Sequence, residues 1–173
     1  MEQNPQNVSP FSSEQRNLYV VRHLEASMLQ LLETKELEEI TVRDLCSHAG
    51  VGRTSFYRNF RSRQDILIQI IRRLSGEWIP SGSDGTPSSF RNTVGCLFRH
   101  LEEQKEFYEL LHRRKLTWLL KDALLEQFGY NPSQETAAAY SSAYAAFLVY
   151  GWIETWLDRG MQESAEDIVK LLP

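Results

Sequence analysis

The sequence predicts an all-α protein: a three-helix N-terminal domain built around a helix-turn-helix, followed by a second helical domain. Three observations point there. Apolar residues recur at helical spacing in segment after segment, as in Leu18, Val21, Leu24, Met28, Leu31 and Leu32. No stretch carries a convincing period-two alternation, and no internal repeat is visible. Between Thr41 and Phe60, helix start and stop signals are crowded around two glycines, Gly50 and Gly52.

Taken in order, residues 1–12 are Asn, Gln, Pro and Ser with few apolar groups and are expected to be disordered. A helix capped by Ser13 should run to about Thr34, and Lys35–Glu39 should be a polar connection anchored by Leu37. Thr41 and Asp44 stand at capping-box spacing and open a short helix with Val42, Leu45 and Cys46 inward, which Gly50 should stop. A second short helix is expected from Arg53 to Asn59, with Phe56 and Phe60 facing the core. Ser62 and Asp65 repeat the box and open a longer helix carrying Ile66, Leu67, Ile70, Ile71 and Leu74. Ser81–Ser89, rich in Gly and Ser, reads as a loop, and the first domain should span residues 13–75 and the second 76–173. Beyond it, helices are expected over Ser88–Gln104, over Lys105–Phe128 with a break near Arg113–Arg114, over Pro132–Asp158 with Pro in the first turn, and over Ser164–Leu172.

Composition narrows the function. The chain has 173 residues, 42% of them hydrophobic, and no apolar run approaches the roughly 20 residues that a membrane span needs. Met1–Pro10 is polar and lacks the apolar core of a signal peptide. Cys46 and Cys96 stand far apart with no CxxC, which points away from a disulfide framework or thiolate zinc site and toward a reducing cytoplasm. The net charge of −4 hides an asymmetry: Thr41–Arg73 holds seven arginines against two acids, whereas the chain from Gly76 onward is acidic. Binding to phosphates needs a positive face rather than a positive whole.

Two short helices joined by a glycine turn form the anatomy of a helix-turn-helix, in which the first helix braces the second in the major groove of DNA. Arg53 and Thr54 open the second helix, where side chains reach base edges, and arginine can bond both O6 and N7 of guanine. Ser55, Tyr57 and Asn59 can donate to phosphate oxygens, and Arg43, Arg61 and Arg63 add charge around them. Phe56 and Phe60 are read as core.

The run ITVRDLCSHAGVGRTSFYRNFRSRQDIL, from Ile40 to Leu67, resembles the signature of the TetR/AcrR family of bacterial regulators. The matching positions are Thr41, Ala49, Gly50, Val51, Ser55, Phe56, Tyr57, Phe60, Ser62, Asp65 and Leu67, and the resemblance covers residues 14–74. It implies base contacts from Arg53 and Thr54 and phosphate contacts from Thr41, Ser55, Tyr57, Asn59 and Arg63. At Arg63 the family most often has lysine, so the charge is kept and the geometry changed. It also implies a homodimeric repressor on a palindromic double-stranded DNA operator, with an effector site in the C-terminal domain.

The C-terminal domain offers matching features. Small residues crowd the helix from Pro132 to Asp158 and allow close approach of a second helix; the expected dimer interface is Ala138, Ser142, Ala145, Val149 and Trp152, with Ile168 and Leu171 of the last helix. An apolar or aromatic effector would meet Phe98, His100, Phe107, Trp118 and Tyr144, although aromatic stripes are more often core. The histidines show no metal-ligand spacing, no cofactor is expected, and no phosphate-cradling loop, zinc motif or nucleophile elbow suggests an enzyme. The competing reading is a TetR-like interaction protein or co-activator, which dimerises and grips another regulator instead of DNA.

Overall fold

A computed structural model describes residues 13–76 and 89–172. Every element among them is helical. The disorder expected over residues 1–12 and most of the loop expected over Ser81–Ser89 lie outside the described residues. The chain divides into two compact units, one ending at Leu67 and one beginning at Ile68, so the division falls within a continuous helix.

The first unit is built on α1, Ser13–Leu32. Val21, Leu24, Met28 and Leu32 form its buried stripe, and α2 (Val42–Ala49) and α3 (Arg53–Asn59) pack against it. Leu18, expected in that stripe, is exposed together with all of residues 13–19. Between α1 and α2 a tight helical turn, Leu37–Glu39, sinks Leu37 into the core. Thr41 caps α2 as the spacing predicts. Its hydroxyl accepts from the Asp44 amide at 3.1 Å, and the Asp44 carboxylate accepts from the Thr41 amide at 3.1 Å. Gly50 ends the helix at φ 65°, a left-handed conformation that glycine adopts without a Cβ penalty. Ser62 and Asp65 form the second box, ahead of α4 (Arg63–Ser75). His48 bonds the Ser27 hydroxyl of α1 at 3.1 Å and ties α2 to it.

The second unit continues α4 and adds α5 (Phe90–Glu103), α6 (Lys105–Arg113), α7 (Leu120–Gln127), α8 (Thr136–Asp158) and α9 (Ala165–Lys170). The expected break falls at Arg114, followed by Lys115 at φ 57° and a tight turn over Thr117–Leu119. Helix α8 starts four residues later than Pro132. The Asn131 carbonyl oxygen of the side chain takes the Ser133 amide at 2.9 Å and forms a turn, and Glu135 caps the helix by accepting from the Ala137 and Ala138 amides. Helix α9 packs on α5, where Arg91 donates to the carbonyls of Val169 and Leu172, both at 2.8 Å. Phe98 and Trp156 meet in the core with ring centroids 5.2 Å apart, and the Trp156 indole donates to the Glu163 carbonyl.

Candidate nucleic-acid interface

Helix α3 shows how seven residues make a reading head. At about 100° per residue, Phe56 and the following Phe60 turn inward, and both are buried with their rings 5.8 Å apart. Thr54, Tyr57 and Arg58 therefore share the outward arc, with Arg53 exposed at the helix start. Tyr57 is 62% exposed and stands edge-on to Phe56 at 5.2 Å, so a rigid core ring supports a phenol held up to solvent. Arg58 was counted in the sequence only as charge. Its position four residues after Thr54 places it beside Thr54 and Tyr57, and helical periodicity alone carries that signal.

Ser55 and Asn59 lie on a different side of the helix. Both are half-buried, and Asn59 donates its side-chain amide back to the Ser55 carbonyl at 2.9 Å. They border α1 rather than the outward arc. Arg63 is also drawn inward. Its guanidinium donates to the carbonyls of Glu38 at 3.1 Å and Ile40 at 2.7 Å, which pins the approach to α2. One guanidinium nitrogen of Arg63 thus braces the loop from which Thr41 projects. Thr41 and Arg43 are exposed at the start of α2.

Both caps carry depressed carboxylates. Hydrogen bonds from the Thr41 backbone and hydroxyl hold the Asp44 carboxyl below its usual range. Partial burial opposes the Asp65 charge, but bonds from the Ser62 hydroxyl and the amides of Arg61 and Ser62 outweigh it, so its pKa is lowered too. Both acids are spent on their helix starts, which leaves the exposed Arg53 and Arg58 of α3 without competition from them.

The residues expected to line an effector site do not come together. Phe98, His100 and Phe107 are buried in the core of the second unit, whereas Trp118 and Tyr144 are exposed. A cavity of about 10 Å³ among Leu97, Leu101, Tyr108, Leu124 and Ile153 has room for at most about one water molecule.

The expected dimer stripe is redistributed as well. Val149 is 1% exposed and Ile168 is buried, so both serve the protomer's own core, where α8 packs on α6 and α7. Ser142, Ala145 and Trp152 are half-buried, and Ala138 and Leu171 are exposed. The outward face of α8, about 180° from Val149, presents Tyr140 (76% exposed), Tyr144 (71%) and Phe147 (50%), followed by Gly151 one turn on.

Known proteins agree with this architecture. Residues 26–70 match the family described as bacterial regulatory proteins, tetR family. Over 46 residues the chain is 44% identical to the HTH-type transcriptional regulator EthR of Mycolicibacterium smegmatis, a match covering 27% of this chain and 21% of that relative. Among solved structures, a Listeria innocua protein aligns over 94% of this chain and 92% of its own, with TM-score 0.73 and 15% identity. A TetR transcriptional regulator from Streptococcus agalactiae aligns over 91% and 93%, with TM-score 0.63 and 17% identity. At these identities the likeness is one of fold. Among the described residues no helix is long and apolar enough to cross a membrane, and no cluster of His, Cys, Asp and Glu could hold a metal ion.

Proposed function

We propose that this chain, which carries a TetR-family DNA-binding domain at residues 26–70, is a transcription regulator that binds double-stranded DNA as a homodimer. The observation that carries the reading is the outward arc of α3: Arg53, Thr54, Tyr57 and Arg58 stand exposed on a buried pedestal of Phe56 and Phe60. Base edges call for short, orientable donors at a helix start, and phosphates call for cations and hydroxyls around them. Both sets are present, and no acid of α2, α3 or the start of α4 competes, since Asp44 and Asp65 are held by their caps.

The exposed aromatic face of α8 supplies the second half of the proposal. Tyr140, Tyr144 and Phe147 follow one another at helical spacing, and Gly151 lets a partner helix approach closely. A second copy covering that face would present two reading heads, so the operator should be a palindrome with half-sites about one helical turn or more apart. An apolar effector acting through the small cavity among Leu97, Leu101, Tyr108, Leu124 and Ile153 would have to enlarge it.

The test is an electrophoretic shift with fragments of the source genome at two salt concentrations. Retarded fragments should share an inverted repeat, and retardation should weaken steeply at the higher salt. Failure to retard any fragment at low salt would overturn the proposal and favour a protein that grips another regulator.

A further inference from the structure

A groove of about 830 Å³ opens on the first unit between the first three turns of α1 and the flank of α3. Arg16 and Arg22 line it from α1, and Arg58, Ser55 and Asn59 from α3. Among the described residues no acid lines it. None of the three arginines makes an ion pair with another described residue, and all three are exposed. Beside Arg22, Tyr19 and His23 stack at 3.7 Å between centroids, with His23 bonding the Tyr19 carbonyl at 2.8 Å, so that wall is held in place.

Three guanidinium groups along one channel, with no carboxylate among the described residues that line it, suit a polyanion. The groove also runs into the reading head, since Arg58 belongs both to its wall and to the outward arc of α3. A duplex seated on that arc would have its sugar-phosphate strand carried on toward α1. We infer that the start of α1 is a second DNA contact, in which Arg16 and Arg22 hold backbone phosphates flanking the base pairs that α3 reads. This rests on the DNA-binding reading and adds to it a footprint wider than the reading helix alone.

The experiment uses duplexes selected for binding from a random-sequence library, made in two lengths. The short one ends at the half-sites, and the long one adds about one helical turn of arbitrary sequence on each side. The full chain and its Arg16→Ala/Arg22→Ala variant are titrated with both duplexes over a range of salt. The wild type should bind the long duplex more tightly than the short one, and the variant should bind both alike. On the long duplex the variant's salt dependence should be shallower by about 2 per protomer, the slope expected for two lost phosphate contacts. Base preference should not change, and an unaltered melting curve should show that the exposed substitutions leave the fold intact. Equal wild-type binding to both lengths, or an unchanged slope in the variant, would overturn the inference while leaving DNA binding standing. A library that yields no bound duplex would instead bring down the reading beneath it, and this inference with it.

Discussion

Arg53 and Tyr57 differ in what surrounds them, and under the proposed DNA-binding reading that difference gives them separate roles. Arg53 stands exposed at the very start of α3, the position from which a recognition helix reaches base edges. If it holds guanine through two hydrogen bonds, Arg53→Ala should cost about 1–3 kcal/mol and relax preference at one position per half-site. Tyr57 sits a turn later against Phe56, fixed in direction. Its hydroxyl should meet a phosphate, so Tyr57→Phe should weaken all sequences alike. A binding series over operator variants separates the two; equal weakening of every variant by Arg53→Ala would reverse the assignment. Gly50 makes a different claim. An added Cβ there meets nothing within 4 Å, so only the left-handed backbone opposes it. Gly50→Ala should therefore cost about 1–2 kcal/mol in a denaturant titration, with no side-chain clash to relieve. That glycine was legible because punctuation is local. Ser55, Asn59 and Arg63 were less so, because their direction depends on α1 and on the Glu38–Ile40 backbone, which only the folded chain brings near.

Helices α2 and α4 each begin with a device that depends on charge. Asp44 and Asp65 have folded-state pKa values below their unfolded ones. A carboxylate of that kind contributes stability above the unfolded value, about 3.9, and loses it as pH falls through the lower folded value. The melting temperature should thus be level near neutrality and decline below about pH 4. Asp65→Asn should flatten part of that decline and lower the plateau, as followed by circular dichroism. An identical acid limb in the variant would show that the box at α4 contributes nothing. The capping boxes, the Gly50 stop and the break at Arg114 were all readable from residue order, since caps act over three or four positions. The start of α8 was not. Pro132 is a favoured first-turn residue, but Asn131 takes the Ser133 amide and Glu135 offers a carboxylate to the next free amides, so the helix waits until Thr136.

At the scale of the whole molecule, α8 is the element on which the proposed dimer turns. It is apolar on two opposite sides, and periodicity could not say which side the protomer keeps. The small-residue stripe through Ser142, Ala145 and Val149 looked like the interface, yet Val149 is 1% exposed and faces the protomer's own helices. The opposite stripe of Tyr140, Tyr144 and Phe147 is the one left to water, and three large side chains at helical spacing make more than a solitary surface leucine would. Two substitutions then separate the roles. Tyr144→Glu places a charge on the exposed stripe; it should leave the fold intact but convert a particle of about twice 20.1 kDa into one of single mass by light scattering at micromolar concentration. Binding to a palindromic operator should weaken with it, because a single reading head gains nothing from the second half-site. Val149→Ala removes buried methyl groups instead, so it should lower the melting temperature while the surviving folded protein keeps its mass. If Tyr144→Glu leaves the mass doubled and Val149→Ala halves it, the interface lies on the small-residue side and α8 must turn to expose it. If the wild type itself runs at single mass, the aromatic face has some other occupant, and the operator need not be a palindrome.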